Sequence, residues 1–145
     1  MSALDSRVDR GAVRTFVVAD VLVLLTFVVV GELSHNINPL LHPDRFVGTA
    51  TPFFVGWLLV APLAGAYSAR LLSSIRALVV YTVGPWVLAD VVAQLLRNTS
   101  FFPGEAVPSF FLVSVGFGSA FLLAGRFGAL YLPRIAGRVV RRVRA

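Results

Sequence analysis

The chain contains no cysteine and no lysine. The first absence excludes disulfides, thiol catalysis and cysteine-based metal sites. The second makes all 13 basic residues arginine. Charge of either sign is scarce: charged residues are 14% of the chain and hydrophobic ones 57%, whereas a soluble domain carries about a quarter charged. No internal repeat or low-complexity tract stands out. In 145 residues there is no room for a second domain beside the apolar stretches.

Those stretches number four, at about 14–33, 52–71, 75–96 and 107–132, each of roughly membrane-spanning length. They predict an all-α membrane protein, a four-transmembrane-helix antiparallel bundle in a single domain, 1–132, followed by a short basic tail, 133–145. The arginines set the orientation. Arg7, Arg10, Arg14, Arg70, Arg76, Arg126, Arg134, Arg138, Arg141, Arg142 and Arg144 fall on one side, and only Arg45 and Arg97 on the other. The positive-inside rule places both termini in the cytoplasm of a multi-pass cell-membrane protein. Arginines gathered at membrane edges, not on a soluble module, argue against nucleic acid as a partner. The first span is read as an anchor and not a cleaved signal, since Asp20 interrupts it and no small-residue cleavage site follows. Asn98-Thr99-Ser100 matches a glycosylation sequon in a tight outer loop.

The breaks are marked by polar and turn residues. Asn36 to Thr51 reads as a polar loop, with Thr51-Pro52 as N-cap and first helical residue of the second span. Ser73-Ser74 makes the inner turn, and Pro103-Gly104 the outer one. Pro62 and Pro85 lie within spans, where each removes a backbone hydrogen bond and kinks the helix. Gly116, Ala120, Ala124 and Gly128 recur every four residues as a small-residue helix-packing ridge, either inside the bundle or as a dimer seam. Ala61, Gly65 and Ala69 form a shorter one.

Charges at membrane depth are costly and face partners. Antiparallel geometry puts Asp20 and Arg126 at similar depth, so they are expected to form an inner ion pair. An outer polar cluster is expected from Glu32, His35, Asp90, Gln94 and Arg97. Glu32 and His35 share a helix face, and Thr82, Trp86, Asp90, Gln94 and Arg97 make one stripe. The cluster is either an interhelical clamp or the lining of a cavity for an ion, proton or small polar solute. Glu32-x-x-His35 is half of a di-iron motif and lacks its other half. His42 with Asp44 belongs to a solvated loop rather than a metal site. Gly116-Phe117-Gly118 lacks the context of a nucleotide loop. Neither a metal site nor a cofactor is expected.

In the tail, Ile135, Val139, Val140 and Val143 fall on one side of a helix with arginines largely opposite, suited to anionic lipid headgroups. Asp20, Gly31-x-x-x-His35, Thr51-Pro52-Phe53-x-x-Gly56-Trp57, and Trp86 with Arg97 together resemble a prokaryotic family of small four-helix membrane proteins, domain of unknown function 3054. Ala89 and Ala93 depart from the Thr and Gly expected there. The resemblance implies a membrane location and a four-helix fold, and no activity. The functional expectation is a transport, channel or ligand-binding component, alone, as a homo-oligomer or with a membrane-protein partner. The alternative is a non-catalytic assembly subunit of a larger complex. An enzyme is not expected, because no nucleophile set is present.

Overall fold

The computed structural model describes residues 8–144, with side chains described as far as residue 136. Four helices follow in order: α1 Arg10–Ser34, α2 Pro43–Leu63, α3 Ile75–Arg97 and α4 Pro108–Arg144. A 3-10 turn, Ala69–Leu72, precedes α3. All four helices are long and apolar enough to cross a membrane, the fourth over Pro108–Ala136. Each packs on its sequence neighbours, and α1 closes the ring against α4. The short connections make neighbours antiparallel.

Local chemistry sets the helix ends. The Asp9 carboxylate caps α1 by accepting from the Ala12 amide at 2.8 Å, and the Ser74 hydroxyl caps α3 by accepting from the Ala77 amide at 3.0 Å. Helix α1 stops where Asn36 takes φ 60° and the Ile37 amide donates to the Glu32 carbonyl at 3.0 Å. Helix α2 stops in the same left-handed turn, with Gly65 at φ 82° and the Ala66 amide donating to the Ala61 carbonyl at 2.9 Å.

Helix α2 therefore differs from the expected span at both ends. It begins at Pro43, whose missing N–H costs nothing at a first helical position, and Thr51-Pro52 lies inside it. The extension is helical because it is two-faced: Arg45 and Thr49, four apart, both reach Glu32, while Ala50 is buried. At the other end Gly65 terminates the helix, so Ala61, Gly65 and Ala69 form no ridge. Segment 64–72 instead folds across the end of the bundle. It buries Ala66, Tyr67 and Leu71, and the Tyr67 carbonyl accepts from the Asp9 amide at 2.7 Å.

Helix α4 runs through Pro133 without a break. A lone proline removes one hydrogen bond and kinks a helix rather than ending it. The basic tail is thus continuous with the fourth span. Arg7, and the side chains of Arg138, Val139, Val140, Arg141, Arg142, Val143 and Arg144, lie outside the described residues.

The ridge of Gly116, Ala120, Ala124 and Gly128 does not pack inside the bundle. Gly116, Ala120 and Ala124 are exposed, and a Cβ built on Gly116 meets nothing within 4 Å. The buried stripe of α4 is Ser114, Gly118, Leu122 and Arg126. Two residues of helix correspond to about 200° of rotation, so turning Arg126 inward turns the ridge outward. Close approaches fall elsewhere. A Cβ on Gly56 would strike the Ala89 carbonyl of α3, one on Gly118 the Trp86 ring, and one on Gly125 the Val23 side chain.

Candidate functional site

Two buried polar centres lie at opposite ends of the bundle. The inner one joins Asp20 of α1 to Arg126 of α4. The guanidinium donates through Nε to Oδ1 at 2.9 Å and through Nη2 to Oδ2 at 2.7 Å, the two-pronged geometry that arginine and carboxylate share. Its Nη1 donates to the Ala66 carbonyl and to Thr82 Oγ1, both at 3.1 Å. The Tyr67 hydroxyl donates to Asp20 Oδ2 at 2.7 Å and accepts from Trp57 Nε1 at 3.1 Å. Asp20 and Arg126 are 1% and 0% exposed. Phe16, Trp57 and Tyr67 present their rings to the guanidinium at 5.1 to 5.5 Å.

All four helices and the 64–72 segment thus contribute to one closed network, in which Trp57 and Tyr67 take part through tertiary contacts that carry no sequence motif. Burial, and then the Asp20 charge, push the Tyr67 phenol above its ordinary pKa, so it stays a donor to Asp20. Tyr67→Phe leaves the Trp57 N–H without its acceptor and Asp20 with one donor fewer. The expected loss is about 1–3 kcal/mol, read as a lower midpoint in detergent unfolding. An unchanged midpoint would mean that water replaces the hydroxyl.

The outer centre is divided. Glu32, 5% exposed, accepts from Thr49 Oγ1 at 2.7 Å and from Arg45 Nε at 3.4 Å. Asp90 accepts from Ser114 Oγ at 2.5 Å and Gln94 Nε2 at 2.9 Å. The Trp86 indole donates to the Ser114 carbonyl at 3.1 Å, tying α3 to α4 beside this pair. His35 is exposed at the rim and joins neither group. The five expected residues therefore do not form one mutually bonded cluster. Of the five, only Asp90 and Gln94 bond to one another; Ser114, Thr49 and Arg45 supply the other bonds to Asp90 and Glu32.

Arg97 stands apart. It is 8% exposed, yet its Nε and Nη1 are buried without a hydrogen-bond partner. No carboxylate among the described residues lies within ion-pair distance of it. The Phe110 ring faces its guanidinium at 4.6 Å and the Phe53 ring at 6.0 Å. The outer loop lies against this side chain at Gly104, where a Cβ would meet Nη2, and the φ of 100° there requires glycine.

Arg97 faces a cavity of about 810 Å³ between the outer halves of α1 and α4. Glu32, Arg45, Thr49 and Ser114 line its polar end, and Phe27, Phe53, Phe110, Val113, Phe117 and Phe121 its walls. Asp90 and Gln94 lie behind the wall. The inner halves of α1 and α4 are closed by Gly125 against Val23, so the helices separate toward the outer end.

No curated protein and no solved structure matches the chain. A family model described as a protein of unknown function, DUF3054, matches residues 17–129. That span contains both polar centres and every wall of the cavity, and by it the chain belongs to the DUF3054 family.

Proposed function

We propose that this chain is a ligand-binding component of the cell membrane, of a transport or carrier type, with its ligand held in the cavity beside Arg97. The observation that carries the reading is a contrast between the two centres. At the inner one, Arg126 meets a carboxylate, a carbonyl and a hydroxyl, which is how a structural pair is built. At the outer one, the Arg97 guanidinium, also buried, has Nε and Nη1 without a hydrogen-bond partner and faces open volume. Glu32 and Asp90 act on this charge from a distance, but buried donors left without acceptors cost about 1–3 kcal/mol each, and a ligand is the natural offset. The arginine distribution supports an arrangement with this end away from the cytoplasm and both termini inside. The inner network then acts as the seal beneath the site.

Native mass spectrometry of the protein, released gently from its own membrane, tests this. The wild type is expected to carry a reproducible adduct of defined mass that Arg97→Gln loses. Identical spectra for the two proteins, or no adduct in either, would overturn the reading. A second reading, an assembly subunit, draws support from the outward Gly116, Ala120, Ala124 face. In the same spectra it predicts a stoichiometric partner chain and no adduct.

A further inference from the structure

Resting on that reading, we infer that the ligand is an amphiphile with an oxyanion head, carboxylate or phosphate, and a hydrocarbon tail, which enters from the bilayer between α1 and α4. The head is set by charge. Glu32 is already satisfied by Arg45 and Thr49, and Asp90 by Ser114 and Gln94. His35 and Glu105 also line the cavity but are exposed to solvent; the buried lining group with unmet hydrogen bonds is the Arg97 guanidinium, a donor only, whose fork matches two oxyanion oxygens. A cationic head adds repulsion, and a neutral acceptor makes only the weaker uncharged bond.

The tail is set by the walls. Beyond the polar end, the cavity surface is phenyl and valine, and its volume falls in the upper part of the roughly 300–1,000 Å³ typical of small-molecule sites. The route is set by exposure. Val113 and Phe117 line the cavity and are 53% and 60% exposed. At the depth of a spanning helix, that surface faces acyl chains rather than water. At the loop end Gly104 lies directly on Arg97, while exposed His35 and Glu105 stand at the rim, so the bilayer side is the approach whose walls are apolar throughout.

Trp86 is the reporter. It is 0% exposed, shielded from detergent, yet its ring is 5.7 Å from Phe27 and 6.0 Å from Phe53, both cavity walls. Full-length protein in a neutral maltoside detergent is titrated with dibromostearate, dibromostearyl alcohol and dibromostearyl amine, and tryptophan quenching is followed. Dibromostearate is expected to quench saturably at roughly tenfold lower concentration than the other two, the factor one charge-assisted bond supplies. Arg97→Gln should erase that preference. Gly31→Leu is the second variant. Gly31 lines the cavity and its Cβ would meet nothing within 4 Å, so leucine fills the space without strain and should abolish quenching while the melting temperature holds.

Equal quenching by acid, alcohol and amine overturns the oxyanion head and leaves the cavity reading intact. Displacement of dibromostearate by acetate or inorganic phosphate as readily as by stearate overturns the tail and the bilayer route. No quenching by any of the three overturns the amphiphile. The adduct test on Arg97→Gln then judges the cavity separately.

Discussion

Asp20→Asn is expected to remove about 3–5 kcal/mol of stability, the cost of breaking a buried ion pair from one side. Asparagine keeps the shape of the side chain and one acceptor oxygen. What goes is the charge, while Arg126 stays at 0% exposure. The rings of Phe16, Trp57 and Tyr67 within 5.1 to 5.5 Å return on the order of 0.5–2 kcal/mol, too little to compensate. The reference state deepens the loss. In a membrane-inserted but unpacked chain, the Arg126 guanidinium is free to draw water and headgroups toward itself. Folding of the variant drags a lone cation back into the bundle. Replacing both partners together, Asp20→Leu with Arg126→Met, should recover much of the loss, because the pair's own desolvation penalty disappears with it. The remainder reflects Thr82, Tyr67 and the Ala66 carbonyl losing partners, about 1 kcal/mol each. Unfolding in mixed dodecyl sulfate micelles measures all three proteins. A double variant worse than Asp20→Asn would assign the stability to packing around these residues and not to the pair.

How far the chain could be read in advance follows the same electrostatics. The four spans are legible because apolar runs of that length have few alternatives. The proximity of Asp20 and Arg126 followed from depth alone: two opposite charges in antiparallel spans at one level have little else to meet. The ends of α2 were not legible from hydropathy. Segment 43–51 is polar by composition and helical only because Arg45 and Thr49 share a face toward Glu32, a tertiary contact. Gly65 looked like a ridge residue by its four-residue spacing from Ala61, when it is the left-handed residue that ends the helix. By sequence Arg97 reads as one member of an ion cluster. Its lack of a bonded carboxylate goes with Glu32 being held by Arg45 and Thr49 of α2, a tertiary contact that hydropathy does not report. The outward turn of the Gly116 ridge was available without coordinates, since Arg126 and that ridge are out of phase on one helix and only one of them can face inward.

That phase relation makes a second large effect predictable. Gly118→Val should cost several kcal/mol, while Gly116→Val, two residues away on the same helix, should cost less than about 1 kcal/mol. The Gly118 Cβ position is occupied by the indole of Trp86. Trp86 cannot give way, because it is fully buried and its ring is packed by Phe27, Phe53 and Trp57 at 5.7 to 6.1 Å. Overpacking a filled core costs about 1–3 kcal/mol. Forcing the indole aside also breaks its 3.1 Å bond to the Ser114 carbonyl and strands a buried donor for about 1–3 kcal/mol more. Ser114 in turn holds Asp90, so the displacement reaches the wall of the outer cavity. At Gly116 the new methyls enter open space on the outer face, and removing a flexible glycine from a helix offsets part of the β-branched penalty. Melting temperatures of the two variants in one detergent decide the matter. Equal loss at both positions would mean that the Gly116 face is also packed against something, which in this chain has to be a second protein or a second copy.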